Sequence, residues 1–463
     1  MGKYCLLIIL ILAMNAFDSF CNKTEENCIF GKKWVLLVAS SEGWWNYRHQ
    51  ADVAHAYQIV KRNGIPDENI IVMMVNDVVN STNNPAPGTL INQPNGTDVY
   101  NGIKLDYSGK DVSSRNFLNI LKGNKKAMSN IGSGRVIKSG PRDNIFINIV
   151  DHGSAGLLAF PNDLLYADKL INALKYMYAK RNYHKIVFYI EACEAGSMFD
   201  GLLDDEKSVI AITASGPRES SYGYYCGVEE CGDYNTCLGD LFSISWMENL
   251  DEIIFETTTK SRTIFRDFEE SRTAVTQSNV MVYGDFHVGY EKLSSFIGFL
   301  DDKHVLKKSD KDPKLYNINS AISSREITEI FLQRQLLKSN DSTRSLKEKI
   351  LLISQMKSVI DATIKQIYEY IVQILPDISE KIGTIENPES MRLSMETFQC
   401  YRSILNKITE KCFSIPKNPY LLKYLVVFAN ICVIDKNADD TVIKVIDTIC
   451  SRVKIPKNLV DIH

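Results

Sequence analysis

Two stretches decide the fold: Ile145–Val150 (IFINIV), which runs straight into Asp151-His152-Gly153-Ser154, and Ile186–Ile190 (IVFYI), which runs into Glu191-Ala192-Cys193-Glu194-Ala195-Gly196-Ser197. Each is a nearly continuous apolar run, interrupted in the first by Asn148 alone, that stops abruptly at polar residues with a glycine close behind. Strands buried on both faces read this way, whereas half-exposed strands alternate. Working outward, Trp34–Val38, Ile70–Val75 and Val209–Thr213 have the same character. Between them lie apolar positions at helical spacing: Val53, Ala56, Tyr57 and Val60, stopped by Gly64, then patterns around Phe117–Leu121 and Leu170–Tyr178. Strand–helix alternation predicts an α/β domain, a mainly parallel sheet flanked by helices, extending to about residue 290. Pro85, Pro87, Gly88, Pro94 and Gly96 mark a long irregular excursion after the second strand.

The chain has 463 residues, 45% apolar and 24% charged, an ordinary globular balance with room for more than one domain. A net charge of −3 gives no electrostatic case for nucleic acid. The charge is unevenly spread, however. From Asp301 onward 25 Lys and Arg face 21 Asp and Glu, a surplus of +4, whereas the first 300 residues have 28 against 35, or −7. Residues Asp301–Ser320, charged and interrupted by Pro313, read as an exposed linker. Beyond it Leu346, Ile350, Ile353, Ile360, Ile364, Ile367 and Ile371 share one helical face, and helical patterns continue through Leu421–Cys432 and Val442–Val453. A separate all-α module is expected there.

Leu6–Met14 is an apolar run behind Lys3, far short of the ~20 residues a membrane span needs. It reads as a secretory signal cut between Ala16 and Asn22; a buried N-terminal helix is the plainer alternative. No other uncharged segment reaches spanning length, so a soluble mature protein is expected. Entry into an oxidising lumen suits the eleven cysteines. Cys400, Cys412, Cys432 and Cys450 suggest two bridges with three pairings open. Cys226, Cys231 and Cys237 fall in a Gly- and Tyr-rich loop that lacks a fourth zinc ligand. Sequons at Asn22, Asn80, Asn95 and Asn340 are candidate glycan sites. Nothing calls for a metal or a cofactor.

In an open parallel sheet, functional groups gather beyond the carboxyl ends of the strands. There the chain places His152, Cys193 and, after the first strand, Asn46, Arg48 and His49. A thiolate is a nucleophile that a nearby imidazole can activate, and the imidazole can later protonate a leaving amine. The turn at Gly196 and Ser197 could offer backbone N–H groups to an oxyanion. Singly, Cys193 reads as a small buried residue and His152 as a satisfied polar one; together, each followed by a glycine, they favour catalysis.

These blocks resemble the catalytic blocks of the legumains, the asparaginyl endopeptidases or vacuolar processing enzymes. Asn46–Asp52, Arg62–Pro66, Pro94–Tyr100, Pro217–Tyr222 and Leu238–Asp240 are similar to the family as well, in the same order. The resemblance covers residues 30–290 in detail and the C-terminal module in layout. It implies a caspase-like fold, a signal peptide (1–21), a peptidase domain (22–295), a linker (296–323) and a disulfide-stapled helical prodomain (324–463). It also implies cleavage after Asn, more weakly after Asp, in an acidic lysosome or vacuole, with secretion as an alternative. By position, Cys193 would be the nucleophile, His152 its acid/base partner and Asn46 the group orienting the imidazole, with Gly153 and Cys193 amides as the oxyanion hole. Arg48, His49, Glu191, Ser221 and Asp240 would line the pocket for the residue preceding the cut. The implied disulfides are Cys400–Cys432, Cys412–Cys450 and Cys226–Cys237. The implied partners are proteins and peptides with exposed Asn, the chain's own prodomain as inhibitor, and cystatin-type inhibitors. Two departures stand out: Ala195 replaces a Ser of many animal members, and the Cys226–Cys237 segment is closer to the plant loop, with Cys231 lacking an evident partner.

The pocket chemistry follows independently. A carboxamide carries an acceptor oxygen and a donor NH2, so Arg48 can serve one end while Glu191 and Asp240 serve the other. An ionised Asp would face two carboxylates; a protonated Asp presents a carboxamide-like pattern. The resemblance implies that the helical module covers the active-site face; the opposite charges of front and back would hold it there near neutral pH and release it in acid, with self-cleavage expected at Asn317 and Asn319. Competing readings are a lipid-anchor transamidase catalytic subunit, which expects a C-terminal membrane segment, and a catalytically dead scaffold, which does not explain Cys193, His152 and Asn46 together.

Overall fold

The computed structural model describes residues 31–253, 261–299, 317–338, 343–385, 387–389 and 391–453. The expected signal segment, Asn22, Asn340 and the linker from 300 to 316 lie outside the described residues. Twelve strands are formed among the described residues: β1 (Lys33–Ala39), β2 (Ile70–Met74), β3 (Asn144–Val150), β4 (Gly153–Ser154), β5 (Leu157–Ala159), β6 (Leu164–Tyr166), β7 (Lys185–Glu191), β8 (Val209–Thr213), β9 (Tyr222–Tyr224), β10 (Gly239–Asp240), β11 (Met281–Gly284) and β12 (Ile322–Ser323). The central sheet has the order β11-β8-β7-β3-β1-β2. Its strands are parallel except β11, which pairs antiparallel with β8.

Helices cover both faces: α1 (Tyr47–Arg62), α2 (Ser114–Leu121), α3 (Ala167–Ala179), α4 (Leu241–Ile253) and α5 (Ile264–Ala274). Because strand side chains alternate, each continuous apolar run is split between two layers. Trp34, Leu36, Ile145, Ile147, Ile149, Phe188 and Ile190 share a core with Phe117 of α2 and Leu170 of α3. Val35, Leu37, Phe146, Val150, Val187 and Tyr189 share another with Tyr57 of α1 and Trp246 of α4. Ser113 caps α2 by accepting from the Asn116 amide, an interaction typically worth ~1 kcal/mol. Gly64, at φ +84°, ends α1 where a side chain would be strained.

The C-terminal module is helical: α6 (Ile327–Lys338), α7 (Thr343–Ile374), α8 (Thr397–Lys411), α9 (Leu425–Ile434) and α10 (Asp439–Cys450), with a short helix at Pro376–Ile382. Ile360, Ile364, Ile367 and Ile371 of α7 are fully buried, so the apolar stripe is the packed face. Disulfides Cys400–Cys432 and Cys412–Cys450 tie α8 to α9 and α10, closing loops of 32 and 38 residues. A third, Cys226–Cys237, closes the loop between β9 and β10, within which Cys231 is buried. The linker does not lead cleanly into a separate module. Ile322–Ser323 forms β12 on the edge of β9, and Ile327, Phe331 and Leu332 of α6 join the core on the α1 side of the sheet. Asn80 and Asn95 are exposed. Among the described residues no helix is long and apolar enough to cross a membrane.

All four tryptophans precede Met247, so tryptophan fluorescence reports the sheet domain and helical circular dichroism the whole chain. A Cys412→Ser/Cys450→Ser double variant is expected to lose about 2–4 kcal/mol of stability in its helical module. In chemical denaturation the helical transition should move to lower denaturant while the fluorescence transition moves less.

Candidate active site

β3 and β7 are adjacent, parallel and paired residue by residue up to Val150↔Glu191. His152 and Cys193 each lie two residues past that last pair, so they leave neighbouring strands abreast and with the same parity. The turns touch: a Cβ at Gly153 would lie 2.2 Å from the Cys193 carbonyl oxygen, which only glycine permits. His152 Nε2 is 2.8 Å from Asn46 Oδ1, and Asn46 is itself held by donation from Nδ2 to the Glu42 carbonyl at 2.8 Å. With Asn46 as acceptor, Nε2 carries the proton in the neutral ring and Nδ1 is left as its base. On the other side the Ser221 amide donates to Cys193 Sγ at 3.3 Å, and Ser221 Oγ lies 3.7 Å from the sulfur. Asp151 accepts from Ser40 Oγ and from the His152 amide, and its burial pushes its carboxyl up to about 7.

One expectation is corrected here. Glu194 adopts a left-handed conformation, φ 48°, and turns the chain into the helical turn Ala195–Met198. The amides there are already engaged: Glu194 N donates to Glu219 O, Ala195 N to Ser215 Oγ, Gly196 N to Ser215 O and Ser197 N to Glu194 O. Gly196 and Ser197 therefore have no amide to offer an oxyanion. They anchor the turn that presents Cys193.

Arg48, His49, Glu191 and Asp240 are all buried, at 0–1% exposure. Arg48 Nε donates to Asp240 Oδ1 at 2.8 Å and Nη1 to the Trp45 carbonyl at 2.7 Å. Glu191 Oε2 accepts from the Ser243 amide at 2.8 Å and its hydroxyl at 3.0 Å. His49 Nδ1 is 2.5 Å from Ser41 Oγ and its Nε2 3.6 Å from Asp240 Oδ2, and the ring packs edge-on to His152 with centroids 5.1 Å apart. Burial, then the charges of Arg48 and His152, hold the His49 pKa well below the ordinary histidine range, so it is neutral. Burial, then Asp240, raises Glu191; burial also raises Asp240, against the pull of Arg48. Three buried polar atoms here lack a hydrogen-bond partner: Arg48 Nη2, Glu191 Oε1 and Asp240 Oδ2. Buried polar groups are rarely left so. One donor and two acceptors is the complement of a carboxamide.

Among the described residues, one trio brings ligand-type atoms within 4.8 Å of one another: His49, Asp151 and His152. Each is already engaged within the protein, by Ser41, Ser40 and Asn46 respectively.

The C-terminal part lies across this site. β12 pairs antiparallel with β9, the Ser324 amide donates to Ser221 O at 3.1 Å, and Ser324 Oγ is 3.2 Å from Ser221 Oγ. Arg325 donates to Glu194 Oε2 at 2.5 Å and to the Gly153 carbonyl at 3.3 Å. Burial raises the Cys193 thiol above its usual pKa, with Arg325 opposing and Glu194 adding, so the covered thiol is protonated. Ser154 Oγ donates to the Leu422 carbonyl at 2.6 Å, and Leu393 and Phe398 sit over Gly156. Arg392–Asp200 (2.8 Å), Arg402–Asp168 (2.6 Å) and Lys417–Glu42 pair basic residues of the helical module with acids of the sheet domain. Ser324 and Arg325 escape sequence reasoning, since a short polar stretch after a linker has no periodicity to mark it. Asn317 and Asn319 are exposed, with the Asn317 amide donating to Tyr224 Oη at 3.0 Å.

Comparison with known proteins agrees with this geometry. The Peptidase C13 family model matches residues 33–299, and the legumain prodomain model matches residues 348–450. Legumain of Mus musculus is 42% identical over 434 residues, covering 93% of this chain and 94% of that one. Vacuolar-processing enzyme of Vicia sativa is 36% identical, covering 87% and 82%, and hemoglobinase of Schistosoma japonicum is 36% identical, covering 93% and 95%. A solved caspase-1 of Spodoptera frugiperda covers 59% of this chain and 92% of its own at 11% identity, with a TM-score of 0.32, too loose a likeness to carry weight. With a matched peptidase domain, a matched prodomain and a cysteine and histidine abreast at the strand ends, the chain belongs to the legumains of peptidase family C13 and is a cysteine endopeptidase.

Proposed function

We propose that the chain cuts peptide bonds after asparagine and is made as a latent precursor that acid unlocks. The observation that carries the specificity is the set of unpartnered buried atoms on Arg48, Glu191 and Asp240. Arg48 Nη2 would donate to the side-chain oxygen of the substrate, and the two carboxyl oxygens would accept from its NH2. A buried site built for two-ended hydrogen bonding rejects ligands that leave it unpaired.

In the reaction, Cys193 Sγ attacks the carbonyl carbon after losing its proton to His152 Nδ1, while Asn46 fixes the ring. The Gly153 and Cys193 amides would meet the oxyanion. His152 then gives its proton to the leaving amine as the C–N bond breaks, which leaves a thioester on Cys193. Water, deprotonated by His152, hydrolyses it; an amine in place of water would give a transpeptidation product.

Latency rests on strand β12 and the turn that follows it, β12 pairing with β9 where an extended substrate would lie, and on Arg325 spanning Glu194 and the Gly153 carbonyl. Burial raises Glu194 above the ordinary carboxylate range even with Arg325 opposing. Arg325 acts against that burial and favours the ionised carboxylate, so the ion pair's own contribution to the cover is present while Glu194 is charged and is lost when acid protonates it. Neither Asn317 nor Asn319 can reach Cys193 while the strand covers it, so cleavage there follows lifting or occurs between molecules. A lysosome or vacuole supplies the acid, and cystatin-type proteins are candidate inhibitors of the opened cleft.

Acid-treated protein should hydrolyse an Ala-Ala-Asn fluorogenic peptide, and Cys193→Ala should abolish turnover; an acid-processed protein that leaves the peptide uncut would refute the reading. Arg48→Gln is expected to lower kcat/KM for that peptide by about a hundredfold or more, through loss of charged hydrogen bonds and exposure of unpaired carboxylates. The Asp-to-Asn cleavage ratio should rise only as pH falls toward about 4, where free Asp protonates. Arg325→Ala should let activity appear at higher pH than in the wild type, followed by titrating the precursor and assaying at intervals. An Asn317→Gln/Asn319→Gln variant should fail to release its helical module at the normal position, as read by mass spectrometry.

A further inference from the structure

One face of α1 carries Arg48, Asp52 and His55 on successive turns and Arg62 two turns further on, and this row leads from the specificity pocket to the surface. At the outer end Arg62 Nη2 and His55 Nε2 grip the two oxygens of Asp251 at 2.7 and 2.9 Å. His55 Nδ1 is 2.9 Å from Asn92 Oδ1. The Asn92 amide nitrogen donates to Asp52 Oδ1 at 2.7 Å and to the Leu238 carbonyl at 3.0 Å. The Asp240 amide donates to Asp52 Oδ2 at 3.1 Å, and the Asp240 carboxylate holds Arg48. The row is thus continuous from solvent to pocket. Its orientation is fixed at Asn92, whose NH2 faces two acceptors and whose oxygen faces the imidazole.

Asp52 and Asp240 are 0% exposed and Glu191 1%. The cation bonded within this group is Arg48, and it is spent on Asp240. His49 and His152 stand next to Arg48, Asp151 lies beyond, and His55, Asp251 and Arg62 are the charged or titratable groups at the far end. A second unpaired carboxylate buried beside Asp240 would be costly, so it holds a proton instead.

Resting on the asparagine-specific reading above, we propose that Asp52 is a positioning residue of the specificity pocket: it fixes the backbone of Asp240 from behind and, by staying protonated, keeps Asp240 as the one charged partner of Arg48. Burial first, and the neighbouring Asp240, push the Asp52 carboxyl well above its ordinary range, with Asn92 pulling the other way. The sign follows. A raised folded-state pKa means the proton is held through the acid range and lost as pH rises through the raised value. A carboxylate pair then faces one guanidinium, Asp240 is repelled from its place, and the grip on the substrate amide weakens. The effect belongs to substrate binding, because Asp52 touches neither Cys193 nor His152 in any bond described.

The test is the pH dependence of KM and kcat for the Ala-Ala-Asn peptide, using acid-activated enzyme. Asp52→Asn retains an oxygen for the Asp240 amide and cannot ionise. Its KM should match the wild type within about twofold in the acid range, where Asp52 holds its proton, and be about threefold or more lower half a pH unit above the point at which the wild-type KM begins to climb, half a pH unit being about threefold. The kcat should stay within about twofold at both. Asp52→Ala, which loses the acceptor, should raise KM at both. Should Asp52→Asn not accumulate, Asn92→Ser removes the donor that favours the ionised carboxyl and should shift the KM profile the same way. A parallel loss at both pH values, or an unshifted KM profile in the variant assayed, would overturn the proposal while leaving asparagine specificity standing. A wild-type enzyme that ignores Asn would instead overturn the functional reading itself.

Discussion

The residue-by-residue pairing of β3 with β7 is the constraint on which the site depends. Parallel neighbours that end in register deliver the residues beyond them to the same edge of the sheet, and side-chain alternation makes equal offsets point alike. A one-residue slip would turn either His152 or Cys193 to the opposite face. Gly153 completes the arrangement, because any side chain there would collide with the Cys193 carbonyl. Asn46, arriving from the start of α1, and Ser221, arriving ahead of β9, then fix the imidazole and the thiol from opposite sides.

The buried cluster of Arg48, Glu191 and Asp240 is a problem of charge in a water-poor space. Arg48 is fully buried, an expensive placement unless it is paired, and Asp240 pairs it. The surrounding carboxyls exceed the cations, so protonation and amide donors, from Ser243 to Glu191 and from Asp240 to Asp52, absorb the surplus. What remains unsatisfied is a donor and two acceptors. The segment 322–325, strand β12 and the turn after it, does not fill that pattern with an asparagine. It lies against β9 through strand pairing and reaches Glu194 and the Gly153 carbonyl through Arg325.

The opposed charges of the two parts find a structural expression at their contact. Arg325, Arg392, Arg402 and Lys417 come from the basic part, and Glu194, Asp200, Asp168 and Glu42 from the acidic part. Apolar contact at Gly156, from Leu393 and Phe398, supplies the component that pH does not alter.

The sequence by itself determined the parallel sheet, the helical tail, the charge division and the residues at the strand ends, because each is carried by local pattern: buried runs, helical periodicity, counts of charge, and position just past a strand. It did not determine where the amides of Gly196 and Ser197 go, since they are consumed by Ser215 and Glu194 only after the left-handed turn at Glu194 forms. Nor did it show that Ser324 and Arg325 lie on the residues around the thiol, Ser221, Glu194 and Gly153, or that Asp52, Asn92, His55 and Asp251 form one row. Those contacts join residues up to 196 positions apart, and a hydrogen bond between distant residues leaves no periodic trace. Only the folded chain decided which polar groups are paired and which few are left for a substrate.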